Sequence, residues 1–362
     1  MAAEGVDRIM PGAFDKDREL SVPFPVIQSL LSPQALVKEV LVGYDLKGPV
    51  ECKLLAHNLN DTYLVSTAER RYVLRVSQAP RIAGRTWRSA FEILYELDLL
   101  RHLQRKGSAV AVPVARKSGT LLNLIQAPEG PRVAVLFTYA PGEPVRPSKQ
   151  TPALSTAYGR SIAKMHTASD DFSSAHPRFS LDLAFLLDTP LKVIQPLLIH
   201  RLHDWSYLLQ LADFLKARIA QLSMQALDRG ACHGDAQGGN ATLSGEDRLT
   251  FFDFDACGTG WRAYDLAVFY WGMAMGKSRL GWDDQQVERL WTAYLEGYQA
   301  CRPLGEPDLK AIPLFVAIRH FWLFGLNAAN WDYWGWSEVD DAFFDRELAF
   351  LRAWVTQRIE RL

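Results

Sequence analysis

Apolar and polar positions along this chain follow two regimes. Between residues 50 and 138 the apolar residues come in short runs, rich in β-branched and aromatic side chains and separated by polar turns. Val50 to Ala56, Thr62 to Ser66 and Arg71 to Val76 read as strands, with the turn Asn58-Leu59-Asn60-Asp61 between the first two. From Ser89 to Leu103 the period becomes helical: Phe91, Leu94, Tyr95, Leu99 and Leu103 trace one face, Leu97 fits it less well, and Gly107 supplies a stop. Leu121 to Gln126 and Arg132 to Thr138 return to strand patterning before Pro141-Gly142 breaks the chain. Beyond the break the pattern is mainly helical, apart from one hairpin near residues 233–255. Ahead of the first strand, Ser32 and Pro33 stand as N-cap and first residue of a helix that carries Ala35, Leu36, Val37, Val40 and Leu41. Residues 1–21 show little periodicity and predict a flexible tail.

These patterns predict an α+β chain with a strand-rich front over residues 22–139 and a helical back over 140–362. A length of 362 residues is enough for two lobes with a real core. Cys52, Cys232, Cys257 and Cys301 lie too far apart for a zinc site and too sparsely for a disulfide scaffold, so reduced thiols are expected. The first twenty residues lack the apolar stretch of a signal peptide. The run Ala311 to Leu326 is interrupted by Arg319 and His320 and is expected to fall short of the ~20 residues of a membrane span.

The chemistry concentrates in two strings, His233-Gly234-Asp235-Ala236-Gln237-Gly238-Gly239-Asn240 and Phe251-Phe252-Asp253-Phe254-Asp255. They offer one carboxylate, an amide five residues on, and a second carboxylate after a short apolar run. Phosphoryl transfer needs this set: an acid to orient a hydroxyl and accept its proton, and an Asn and an Asp to hold magnesium. Asp235 is accordingly the candidate catalytic base, Asn240 and Asp253 the candidate metal ligands. Asp255 is left open between a second metal, the acceptor pocket and neither. His233 is read as a brace of the loop.

The paired motif resembles the H-G-D-x-x-x-x-N loop and D-F-D/E motif of the aminoglycoside phosphotransferase and choline kinase superfamily, with the homoserine-kinase-like or stress-response-kinase-like branches nearest. The resemblance covers the chain from about residue 22. It implies a bilobal protein-kinase-like fold, with a five-stranded antiparallel sheet plus helix in front and a mainly helical catalytic lobe behind. It also implies transfer of the γ-phosphate of ATP, with GTP left open, to a hydroxyl of a small molecule, with magnesium. The charge division is compatible: 20 basic and 15 acidic residues precede Gln150, against 20 and 26 from there on, which suits phosphates in front and a cationic substrate behind.

The same resemblance puts Arg75 where a phosphate-binding Lys is expected, with Glu96 on the following helix to hold it. Glu92, one turn earlier, is the competing partner. Asn60 lies in the turn that covers the phosphates in place of a Gly-rich loop. Thr138 and Ala140 would offer backbone groups to the adenine edge, with Phe137 behind it. Asp265 matches a buried Asp that ties down the catalytic loop. The last helices of such proteins line the acceptor pocket, which makes Trp331, Tyr333, Trp334 and Trp336 wall candidates; Phe321, Trp322, Phe324 and Leu326 read as core. The expected acceptor is an amino alcohol, hydroxy amino acid, sugar or aminoglycoside. A cytoplasmic monomer or homodimer without nucleic-acid or membrane partner is expected, and a catalytically weak binding protein or a Ser/Thr protein kinase are the alternatives.

Overall fold

A computed structural model describes residues 24–78, 81–82, 85–86, 88–224, 227–334 and 339–359. The tail expected over residues 1–21 and Trp336 lie outside the described residues, as do the side chains of Tyr333 and Trp334. Strands β1 (Glu51–His57), β2 (Asn60–Ser66), β3 (Arg71–Ser77), β4 (Asn123–Ala127) and β5 (Gly130–Thr138) form one antiparallel sheet in the order β1-β2-β3-β5-β4. Strand alternation decides what each face holds. Leu74 and Val76 of β3 join Tyr63, Val65, Ala134 and Leu136 in a small core closed by Leu36, Val40, Leu41 and Tyr44. Arg75, between them, therefore faces the opposite side, where helix α1 (Ala90–Arg105) packs.

The helix expected after Ser32 is a single turn, Pro33–Ala35, capped by the Ser32 hydroxyl; it widens to a π turn over Leu36–Val40 and tightens over Leu41–Gly43. Helix α1 opens with a capping box in which the Ser89 hydroxyl accepts from Glu92 N at 3.3 Å and the Glu92 carboxylate accepts from Ser89 N at 2.7 Å. Its buried side differs from the face drawn through Phe91. Phe91 is 60% exposed, whereas Leu97 is fully enclosed beside Ile93 and Leu100. The helix meets the back lobe as well as the sheet, for example where Tyr95 OH lies 3.2 Å from Thr259 Oγ1, so a single-stripe reading picks too narrow a face.

The back lobe comprises α2 (Pro152–Ala168), α3 (Leu202–Ser223), α4 (Arg262–Leu280), α5 (Asp284–Gln299), α6 (Glu306–Trp334) and α7 (Asp341–Trp354), with shorter turns between them. A Cβ on Gly159 would lie 2.0 Å from Tyr294 O and one on Gly297 2.2 Å from Thr156 O, so α2 and α5 cross at backbone contact. Helix α6, at 29 residues, corrects the expectation of a run too short for a span: by length and composition it could cross a membrane. Instead it is mostly buried inside the protein, with Ala311, Leu314, Phe315, Ile318 and Phe321 enclosed, as befits a helix apolar on all sides at the centre of a bundle. Six short strands carry or flank the two candidate motifs: β6 (Glu143–Pro144), β7 (Ser180–Leu181), β8 (Arg229–Cys232), β9 (Ala241–Ser244), β10 (Arg248–Phe251) and β11 (Gly258–Trp261). Strand β8 pairs β11, which also pairs β7; the β9–β10 hairpin pairs β6. The front lobe joins this hairpin through Ala111 N to Phe251 O at 2.8 Å and Phe251 N to Ala109 O at 3.0 Å.

Candidate active site

Two ladder ends bring the motifs together. Cys232 pairs Gly258 at the end of β8–β11, and Ala241 pairs Phe251 at the start of the β9–β10 hairpin. The loops 233–240 and 252–257 therefore leave side by side, and Phe252 N donates to Asn240 O at 3.0 Å. Asp265, in the first turn of α4, accepts from His233 N and Gly234 N at 2.7 Å each and from His166 Nε2 at 3.1 Å. Burial opposes charge there, yet the His166 contact and the amides hold its pKa below the ordinary carboxylate value. The His233 ring spans the two motifs: Nδ1 accepts from Asp235 N at 3.3 Å, Nε2 donates to Phe252 O at 3.2 Å, and the ring lies 4.1 Å from that of Phe254. Gly234 has φ +79, and a Cβ there would meet Ala256 O at 2.2 Å, so the second position of the loop admits no larger residue.

Asp235 is held from two sides. Asn240 Nδ2 donates to its Oδ2 at 2.8 Å, and the buried guanidinium of Arg319 in α6 pairs with its Oδ1. Asn240 Oδ1 is left without a hydrogen-bond partner among the described residues. Asp253 adopts φ 62, the one left-handed non-glycine backbone among the described residues, a conformation Asp tolerates better than most. Arg75 meets Glu96 in a two-pronged pair at 2.9 and 2.6 Å and reaches to 3.6 Å from Asp253 Oδ1. The choice left open between Glu92 and Glu96 is decided by the helix cap, which occupies Glu92. Asp255 is buried and accepts from Asn60 Nδ2 at 2.9 Å and Arg88 Nη1 at 2.6 Å, joining the sheet to the second motif.

Electrostatics separate the two carboxylates of the second motif. Although 40% of the Asp253 side chain opens to the cleft, enclosure at the cleft floor and the nearby Asp255 raise its pKa well above the ordinary range, only partly opposed by Arg75. Burial also opposes charge on Asp255, but Arg88, Arg75 and Asn60 hold its pKa low. An acid pressed by like charges is one that a cation would relieve. Asn240 Oδ1 and the Asp253 carboxylate are oxygen donors on two loops joined by Phe252 N and Asn240 O, and the residues present fit a hard divalent ion.

Above this floor lies a cavity of about 260 Å³ lined by Leu55, Val73, Phe137, Thr138, Ala140 and Asp253 among others. Its walls are apolar where a flat ring would lie. Three buried polar atoms in the lining, Asn60 Oδ1, Arg75 Nε and Thr242 Oγ1, have no hydrogen-bond partner among the described residues. Thr138 N donates to Val112 O at 2.9 Å, while Ala140 N donates to no backbone carbonyl in the turns and loops described. The cavity thus offers an apolar slot whose lining also holds these polar groups and Asp253. Trp331 stands apart from it, 37% exposed in the last turn of α6, and lines neither this cavity nor the one beside the catalytic loop described below.

The sequence profile of the phosphotransferase enzyme family matches residues 51–304, which take in both motifs and the sheet. The chain belongs to this family. Its relatives include an uncharacterized protein of Deinococcus radiodurans, 39% identical over 91% of this chain and 92% of that one. The homoserine kinase of Neisseria meningitidis is 30% identical over 75% of this chain and 81% of its own length. Among solved structures, amicoumacin kinase hAmiN in complex with AMP-PNP, Ca2+ and Ami superposes with a TM-score of 0.70 at 21% identity, covering 91% of this chain and 94% of that chain. Family membership makes this chain a phosphotransferase, and the likeness confirms the bilobal kinase-like fold.

Arg319 and Arg88 escaped the reading of the sequence. Arg88 belongs to no motif. Arg319 did carry a signal, a lone cation amid the apolar run of α6, since a charge so placed needs a buried partner. Which partner it takes depends on how α6 lies against the catalytic loop.

Proposed function

We propose that this phosphotransferase moves the γ-phosphate of ATP to a hydroxyl of a small molecule, in the presence of magnesium. The observation that carries this reading is that Arg75 and Asp253 line the 260 Å³ cavity while the hydrogen-bonded pair Asp235 and Asn240 sits on the adjoining loop, tied to the Asp253 motif through Phe252 N and Asn240 O. The division into a nucleotide lobe over residues 22–139 and a catalytic lobe over 140–362 belongs to the same reading. Phe137 and Val73 flank the base, with the Thr138 carbonyl and the Ala140 amide at its edge. Arg75, kept extended by Glu96, meets the phosphates, and Asn60 covers them. Asn240 Oδ1 and the Asp253 carboxylate hold magnesium, which when bound draws charge from the phosphate oxygens. Asp235 accepts the hydroxyl proton while Arg319 and Asn240 fix its rotamer. Asp255, engaged by Asn60 and Arg88, serves to hold the lobes in register. The homoserine kinase and amicoumacin kinase among the relatives favour a hydroxyl-bearing metabolite or antibiotic as the class of acceptor.

The test is acceptor-dependent ADP release across amino alcohols, hydroxy acids, sugars and aminoglycosides, on the wild type and Asp235→Asn. We expect the variant to bind magnesium-nucleotide normally and to lose about 10²- to 10⁴-fold in turnover. Near-normal turnover in the variant removes Asp235 from the chemistry.

A further inference from the structure

A second cavity, about 310 Å³, opens beside the catalytic loop on the side of α4. Gln237 forms part of its wall, and Gln237 Nε2 lies 3.4 Å from Asp235 Oδ1, so the cavity abuts the proposed base. Trp271, Phe269 and Met273 give it an apolar lining. Trp271 is fixed in place: its indole Nε1 donates to His320 Nδ1 at 3.2 Å, and its ring lies 5.7 Å from the guanidinium carbon of Arg319, the cation that pairs with Asp235. A Cβ built on Gly272 meets no atom within 4 Å, so this stretch of α4 borders open space.

The charges of this cavity run against the sign read from the sequence. Among the described residues its charged lining is Arg146 and Arg279, with no Asp or Glu. Both arginines are exposed at the rim, and neither has a carboxylate partner among the described residues; the nearby Lys277 does, in Asp284. Asp170 and Asp228 of the back lobe are engaged elsewhere, by Arg262 and Arg302. Two unmatched guanidiniums over an apolar floor repel a cation and attract a carboxylate or phosphate, which they can grip through paired N–H groups.

We propose that this cavity is the acceptor site and that its acceptor is an alcohol carrying an oxyanion, with Arg146 and Arg279 binding that group while the hydroxyl reaches Asp235. This rests on the phosphotransfer reading above, and it moves the acceptor from the end of α6 at Trp331 to the face of α4. No covalent step beyond that transfer is added: the hydroxyl oxygen bonds to phosphorus, the bond to ADP breaks, and the proton goes to Asp235.

The experiment compares hydroxy carboxylates with their primary amides, phosphorylated alcohols with the parent diols, and amino alcohols, by ADP release. The expected result is a preference for an anionic member of a pair. In Arg279→Ala and Arg146→Ala the KM for that acceptor rises roughly ten- to a hundredfold with a smaller change in kcat, and Arg279→Lys recovers part of the loss. Gly272→Leu, which fills the cavity, raises the same KM. The carboxylate and phosphate arms distinguish the two oxyanions. A preference for amides or amines, or an anion preference unmoved by both arginine substitutions, overturns the proposal. So does turnover of no compound tested; if slow ADP formation with water as acceptor then persists and depends on Asp235, phosphotransfer stands and the acceptor assignment alone falls.

Discussion

At Asp235 the carboxylate is gripped by an amide from its own loop and a guanidinium from a helix more than eighty residues away in sequence. Asn240 is part of the motif; Arg319 is not. Because Arg319 is buried against Trp322, with its guanidinium carbon 4.8 Å from the ring centroid, it has few other places to go and acts as a fixed stop for the Asp235 rotamer. Arg319→Met should therefore lower kcat by roughly 10²-fold, the order expected of a small displacement of a reacting group, while the KM for nucleotide changes little. Arg319→Lys should recover part of the rate. Steady-state kinetics on the two variants check this; equal kcat in Met and Lys variants would reduce Arg319 to packing.

At the scale of elements, β3 and α1 are joined by one buried ion pair. Arg75 reaches the pair because alternation along β3 turns it away from Leu74 and Val76, and Glu96 reaches it because it lies one turn beyond Glu92 in a helix whose start is set by Ser89 and Glu92. Two glutamates on one helix face thus do different work. Glu96→Gln leaves Arg75 buried with an incomplete partner and should destabilise by about 3–5 kcal/mol, with weaker nucleotide binding. Glu92→Ala should cost about 0.3–1.5 kcal/mol through the lost cap and leave nucleotide affinity in place. Urea unfolding and nucleotide titration of both variants separate these outcomes, and comparable losses of affinity would contradict the division of labour. The exchange of Phe91 for Leu97 on the buried side of α1 shows the same limit of local pattern: a helix wedged between two lobes has more than one inner face.

Across the whole molecule, the second motif concentrates negative charge where the lobes meet. Asp253 is more easily protonated in the folded chain than in the unfolded one, so it contributes most to stability below its unfolded value of about 3.9 and that contribution is lost as pH rises towards the elevated folded value. With divalent cations removed, thermal stability should therefore decline from pH 5 to pH 8 by more in the wild type than in Asp253→Asn. Magnesium should restore stability most at the higher pH. Thermal melts with chelator and with added magnesium check this, and a pH slope identical in wild type and variant would place the strain elsewhere.

The local sequence determined the five strands of the front sheet and the loop in which Asn240 reaches Asp235, because each depends on residues close in the chain or on a backbone geometry few residues satisfy, while the brace from Asp265 was implied by the family resemblance. Gly234 illustrates the second kind: its positive φ and its approach to Ala256 O leave no room for a side chain. Tertiary structure alone decided which glutamate meets Arg75, that Arg319 holds Asp235, and that Asp255 ties to Asn60 and Arg88. It also decided that the long apolar helix α6 runs through the interior and that the cavity beside Asp235 is lined by arginines despite an acidic back lobe. The reason is common to all of these. A charge's partner and a helix's inner faces depend on which distant elements pack together, and period and spacing report only on neighbours along the chain.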